Sequence, residues 1–185
     1  MERTDVLSGV CAALKALDRE ALRQAEDVLF SAWMRGVTVF ALGNGGSATI
    51  ADHFVCDLTK WTQCAGCPRL RAVAVTCHTA LLTAWANDES YEAAFVETLR
   101  GMWRKEDVLV AISASGRSEN VLRAARFAKE SGSVVALCGF GGGELAGIAD
   151  AAVVVPSSHY GVVEAAISAV CHELAERLRV RRAAT

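Results

Sequence analysis

The sequence predicts an α/β fold, a doubly wound five-stranded parallel sheet flanked by helices. Three observations lead there. Apolar stretches that read as strands alternate with longer periodic stretches that read as helices. Several strand candidates are continuous apolar runs, as a parallel sheet covered on both faces requires. Two of those runs end in glycine- or serine-rich turns, at the carboxyl ends of strands where open α/β sheets bind their ligands.

The elements follow in chain order. Residues 6–34 carry apolar positions at helical spacing (Val6, Val10, Leu14, Leu17, Leu22, Ala25, Leu29), read as a helix pair interrupted near Asp18. Val37–Leu42 is a strand and Ala48–Leu58 a helix. A loop containing Cys64, Cys67 and Pro68 leads to the strand Ala72–Thr76. Thr79–Trp85 and Tyr91–Arg104 read as helical. Asp107–Ile112 is a strand, Glu119–Glu130 a helix, and Val134–Leu137 and Ala151–Val155 are strands. Val162–Arg179 is the closing helix. No internal repeat, linker or low-complexity segment interrupts the series, so residues 1–185 read as one domain.

With 185 residues the chain can bury a sizeable core without disulfides. A net charge of −2 gives no electrostatic reason to expect nucleic acid or an anionic membrane as partner. The basic stretch Arg177–Arg182 reads as a solvated helix end. The start, Met1-Glu2-Arg3-Thr4-Asp5, lacks the apolar core of a signal peptide, and no segment has the length of a membrane span, which points to a cytoplasmic protein. The seven cysteines are scattered and odd in number, so most are expected to behave as small buried hydrophobes. Cys64-Ala65-Gly66-Cys67 has metal or redox spacing, but no second pair accompanies it.

The first turn, Gly43-Asn44-Gly45-Gly46-Ser47-Ala48, joins a buried strand to a helix start. Glycines let several backbone N–H groups converge, and the helix N-terminus adds partial positive charge, which together favour a bound phosphate. The second, Ser113-Ala114-Ser115-Gly116-Arg117-Ser118, again lies between strand and helix. Its hydroxyls around a glycine exceed what an N-cap at Ser118 needs, although Ser118 followed by Glu119 and Asn120 would cap well. Two such loops on one sheet point to a phosphorylated small molecule.

A further set of residues could do chemistry. His53 and Asp57 stand at i, i+4 on one helix face. Glu164 and His172 stand at i, i+8, about 80° apart around a helix of 3.6 residues per turn. If the two helices meet, two imidazoles and two carboxylates converge, a set suited to a divalent metal such as zinc or to general acid–base work. On the residues alone, an isolated polar contact for His53 and solvated charges at Asp57 and Glu164 remain the plainer reading. His78 and His159 read as surface or supporting residues. Trp33, Trp85 and Trp103 read as packing, with Trp61 alone placed to touch a substrate.

Taken together, Gly43-Asn44-Gly45-Gly46-Ser47, Asp52-His53-Phe54, Ala86-Asn87-Asp88, Ile112-Ser113-Ala114-Ser115-Gly116 and Gly141-Gly142-Gly143-Glu144-Leu145-Ala146 resemble the SIS (sugar isomerase) fold. More narrowly, they resemble the phosphoheptose isomerase family, whose members interconvert sedoheptulose 7-phosphate and D-glycero-D-manno-heptose 7-phosphate. The match runs over nearly the whole chain, including the paired N-terminal helices. It implies an aldose–ketose isomerase working through an enediol, with Asp57 and His172 as catalytic residues. It implies phosphate ligands at Ser47, Ser113, Ser115 and Ser118, with Asn44, Gly45, Gly46, Asn87, Asp88 and Glu164 around the substrate. It implies a zinc site at His53, Asp57, Glu164 and His172, since several members bind zinc with the corresponding four. It also implies a homotetramer with active sites between subunits and the N-terminal helices used for oligomerisation.

The departures bear on specificity. The family acid is normally Glu, and Asp57 is shorter by one methylene, withdrawing its carboxylate by about 1.5 Å. Glu164 replaces a neutral Gln, Trp61 stands where an Arg is usual, Ala114 replaces a hydroxyl residue, and Gly161 stands where many members carry a polar residue. Two alternatives arise from them: an isomerase of another phosphosugar in a specialised pathway, or a non-catalytic SIS module of the kind that associates with the bacterial replication initiator. The latter lacks the full acid and histidine set, which this chain retains at His53 and His172.

Overall fold

A computed structural model describes residues 4–185; the polar start Met1–Arg3 lies outside the described residues. The helix pair forms as α1 (Val6–Lys15) and α2 (Arg19–Arg35), separated at Asp18, whose carboxylate accepts from the backbone N–H of Glu20 at 2.8 Å and caps α2. The chain continues through β1 (Thr38–Gly43), α3 (Gly46–Cys56), a single π-helical turn (Asp57–Trp61), β2 (Arg71–Ala74) and a short 3₁₀ turn (Val75–Cys77). Then come α4 (Thr79–Asp88), α5 (Ala94–Arg100), β3 (Val108–Ser113), α6 (Glu119–Lys129), β4 (Ser133–Cys138), α7 (Gly143–Ile148), β5 (Ala151–Val154) and α8 (Tyr160–Ala183).

All five strands are parallel, in the order β2-β1-β3-β4-β5. Every residue of β1 and β3 is buried, which explains their unbroken apolar sequence. Val39, Ala41, Val108, Val110 and Ile112 face a layer made by α1, α2, α3 and α8, packing on Leu22, Leu29, Phe54, Ile167 and Leu174. Phe40, Leu42, Leu109 and Ala111 face the opposite layer, with Phe95 and Leu99 from α5, Val121 and Ala125 from α6, and Leu145 from α7. The strand order reverses between β1 and β3. A crevice opens outside the sheet at such a reversal, and both glycine–serine turns lead out of these two strands.

Several expectations are corrected. The strand expected over Ala72–Thr76 ends at Ala74, and Val75–Cys77 turns as 3₁₀ helix. The helix expected over Tyr91–Arg104 is shorter, and α7, only six residues long, has no counterpart among the expected elements. Fewer cysteines are buried than expected. Only Cys138 and Cys171 are buried, while Cys11, Cys56 and Cys77 are exposed and Cys64 and Cys67 half-buried, and all seven are free thiols. The exposed ones lie on outward helix faces or at the 3₁₀ turn, where no second layer covers them. Of the tryptophans, Trp33 is buried and donates its indole N–H to the Pro68 carbonyl at 2.8 Å. No helix among the described residues is long and apolar enough to cross a membrane.

Candidate active site

The first turn leaves β1 at Gly43 and enters α3 through Gly45, whose φ of +53° suits glycine. Gly45 is the N-cap and offers no side chain, so the amides at the start of α3 lack a side-chain cap. The second turn leaves β3 at Ser113 and enters α6 through Ser118. Ser118 occupies the N-cap position but makes no capping bond; its Oγ lies 3.3 Å from Ser113 Oγ. The capping role that would have explained Ser118 is therefore not the one its hydroxyl takes. Neither N-cap residue caps its helix with a side chain, and in the first turn of α6 the Val121 N–H donates to Asn120 Oδ1 at 2.9 Å.

Between them lies a cavity of about 140 Å³ lined by Asn44, Ser47, Ile112, Ser113, Ala114, Ser115, Ser118, Tyr160 and Glu164. The four serines expected as phosphate ligands thus converge on one small space. Gly45 instead lines an adjoining crevice of about 240 Å³ with Ala48, Thr76, Tyr91 and Phe95.

The loops are held in register by residues that the sequence does not single out. Asn120, 3% exposed, exchanges amide hydrogen bonds with Asn44, and the Tyr91 hydroxyl donates to Asn44 Oδ1 at 2.7 Å. Gly116, at φ +64°, lies against the third glycine-rich turn so closely that an added Cβ would stand 2.0 Å from the Gly142 carbonyl oxygen. Gly141-Gly142-Gly143 therefore buttresses the second loop. No local pattern signals Asn120 or Tyr91, because their partner lies far away in sequence.

A second constellation lies further along α3 and α8, whose Ser47 and Glu164 line the serine cavity. α3 and α8 pack together and bring His53, Asp57 and His172 into one group, with one ligand atom from each within 4.8 Å of the others. Asp57 opens the π turn, and its side chain is 16% exposed against 58% for His53 and 53% for His172, so the carboxylate forms the floor and the imidazoles the rim. Asp57 Oδ1 lies 3.8 Å from His53 Nε2, and Oδ2 lies 2.8 Å from His172 Nδ1. The latter approach is close but not aligned as a hydrogen bond, and Oδ2 is a buried oxygen without a hydrogen-bond partner among the described residues. The rings meet edge to face at a centroid separation of 4.9 Å. A buried, unpartnered carboxylate oxygen beside two imidazoles is a donor set that a divalent cation could satisfy.

Glu164 is not part of this group. Its carboxylate faces Gly46, where an added Cβ would stand 2.7 Å from Oε1. Asn87 and Asp88 end α4 exposed, with Asn87 Nδ2 donating to Asp88 Oδ1 at 2.8 Å, and neither lines the serine cavity. His159 is the N-cap of α8 and accepts from the Val162 N–H through Nδ1 at 3.4 Å.

On its other side Asp57 borders a cavity of about 620 Å³ with Cys56, Lys60, Trp61, Gln63 and Arg179. Trp61 is fixed there by donating its indole N–H to Glu176 Oε2 at 2.9 Å, and the Arg179 guanidinium lies 5.8 Å from the ring centroid. Hydrogen bonds from Arg179 and then Trp61 hold the Glu176 carboxyl down at about 2. Behind the group, burial and then the charge of Asp57 push the Cys171 thiol up, so it stays protonated.

The comparisons agree with this fold. Residues 4–139 match the model of the SIS domain family. A phosphoheptose isomerase from Mycobacterium tuberculosis is 41% identical over 160 residues, covering 86% of this chain and 81% of that protein. The lincomycin biosynthesis protein LmbN from Streptomyces lincolnensis is 36% identical over 144 residues, covering 74% of this chain and 52% of that protein. The structure of phosphoheptose isomerase from Neisseria gonorrhoeae superposes with a TM-score of 0.85 at 32% identity, covering 94% of this chain and 92% of that one. A five-stranded parallel sheet, the SIS domain match over residues 4–139 and relatives above 30% identity over more than two thirds of this chain lead to one assignment: the chain belongs to the phosphoheptose isomerase family of SIS-domain proteins.

Proposed function

We propose that this chain is an aldose–ketose isomerase that interconverts sedoheptulose 7-phosphate and D-glycero-D-manno-heptose 7-phosphate. One observation carries the reading: Ser47 on α3 and Glu164 on α8 line the serine cavity, and the His53–Asp57–His172 group lies a substrate length further along those helices. From Ser47 to His53 is about 9 Å along α3, and from Glu164 to His172 about 12 Å along α8. An extended chain of eight single bonds, phosphorus to C1, spans roughly 9–10 Å at the reach of an extended backbone. A phosphate held by Ser47, Ser113, Ser115 and Ser118 would thus leave the carbonyl end at the histidines, and its binding energy would orient the reacting carbons.

At that end Asp57 or His172 removes the proton from the carbon beside the carbonyl, giving an enediol, and returns it to the neighbouring carbon. The other residue moves the proton between the two oxygens. His53, Asp57 and His172 would hold a zinc ion. When bound, it would supply Lewis acidity to the carbonyl and hydroxyl oxygens. The reading also carries a cytoplasmic homotetramer with active sites between subunits and α1 and α2 at the interfaces.

A second reading, an isomerase of another phosphosugar in a specialised pathway, is favoured by the likeness to LmbN and by Asp57, Trp61, Ala114 and Glu164 at family positions. The deciding experiment is isomerisation of sedoheptulose 7-phosphate by purified protein, with added zinc and with chelator. Turnover that chelator removes and zinc restores supports the first reading. Folded protein inert towards this sugar but active on another phosphorylated ketose supports the second.

A further inference from the structure

The serine cavity contains a negative charge of its own. Glu164 is one of its walls, and among the described residues no lysine or arginine lines it to offset that charge. The carboxylate is set against the first residue of α3: a Cβ on Gly46 would stand 2.7 Å from Glu164 Oε1 and 2.8 Å from Oε2. The absence of a side chain at Gly46 makes this approach possible. The carboxylate thus lies beside the first turn of α3 without bonding its amides; the Ser47 N–H donates to the Asn44 carbonyl at 2.9 Å and the Ala48 N–H to the Gly45 carbonyl at 3.0 Å.

We infer that Glu164 is a specificity-determining residue whose charge opposes a phosphate in the serine cavity and so selects phosphate esters of polyhydroxylated chains over inorganic phosphate. The inference rests on the proposed phosphate site. A phosphate entering the cavity meets a like charge in a confined space, which weakens its binding. A sugar phosphate brings neighbouring hydroxyl groups, and a carboxylate is an acceptor for O–H donors. The ester is compensated for the repulsion and the free ion is not. A cradle built only of amides, hydroxyls and helix ends would lack this discrimination.

The test is calorimetric binding of inorganic phosphate and of sedoheptulose 7-phosphate to metal-free wild type, Glu164→Gln and Glu164→Ala, with melting curves as the folding control. Glu164→Gln is expected to bind inorganic phosphate about tenfold more tightly, a change of about 1.4 kcal/mol, and the sugar phosphate with a smaller gain, so that the preference for the ester falls. Glu164→Ala is expected to give the same gain for phosphate. Equal phosphate affinity in all three proteins overturns the role of Glu164 and leaves the cradle standing. If none binds either ligand, the phosphate site itself is wrong, and the inference falls with it.

Discussion

Asn44 and Asn120 exchange two hydrogen bonds, each amide nitrogen donating to the other's Oδ1 at 2.9 Å. The pair links the turn after β1 to the helix after β3 and so fixes the separation of the two helix N-termini. Asn120 is buried, and its removal leaves Asn44 Nδ2 without its partner while Asn44 Oδ1 keeps the Tyr91 hydroxyl. Asn120→Ala is expected to lower stability by about 1–3 kcal/mol and to raise KM for the phosphosugar more than it lowers kcat. Denaturant unfolding and steady-state kinetics check the two parts.

His172 lies at the rim of the His53–Asp57–His172 group, two turns along α8 from Glu164 of the serine cavity. His172→Gln is expected to cut kcat by about 10²–10⁴-fold, while calorimetry finds phosphate affinity nearly unchanged. Full activity in this variant would remove His172 from the mechanism.

Two glycines of the turns after β1 and β3 make opposite demands. At Gly46 a Cβ meets only the end of the flexible Glu164 side chain, so Gly46→Ala should fold with a stability change within about 1 kcal/mol. At Gly116 a Cβ meets backbone, and φ is positive, so Gly116→Ala should cost upwards of about 3 kcal/mol. Melting of the two purified variants decides; equal losses would contradict the close approach of the second and third turns.

The Glu176 carboxyl is held down at about 2 from an ordinary 4.5 by Arg179 and Trp61. A depressed carboxylate contributes stability that is present above the unfolded value and lost as pH falls towards the folded one. The pair is exposed, so the contribution is small. The difference in melting temperature between wild type and Glu176→Gln is expected to shrink as pH is lowered from about 4.5 towards about 2. A difference that stays constant over that range would mean Glu176 holds nothing.

The sheet was legible because its central strands are buried on both faces and have little choice of composition. The helix pair was legible because Asp18 interrupts the periodicity and caps α2. The differences have local causes. Val75–Cys77 has the same apolar character as β2 but leaves the edge of the sheet, where only one neighbour holds the ladder. The π turn is invisible in sequence, since apolar spacing continues through Leu58 while one extra residue enters the turn. The pairing of Asn120 with Asn44, and of Trp61 with Glu176, depends on partners brought together only by the fold. Helical spacing groups Glu164 with His172, but the contact with Gly46 depends on how α8 crosses the start of α3.

On the proposed reading, the starts of α3 and α6 tie this enzyme's persistence to its metabolism. Orphan amides at two helix ends are a standing cost to the native state that an anion relieves. Any ligand that binds only the folded chain adds RT ln(1 + [L]/Kd) to its stability, about 2.7 kcal/mol at a hundredfold excess over Kd. If the phosphosugar binds at the proposed site, a cell rich in it holds the protein folded more firmly than a starved one. The abundance of the enzyme can then follow its substrate through proteolysis of the unliganded form, without any separate regulator.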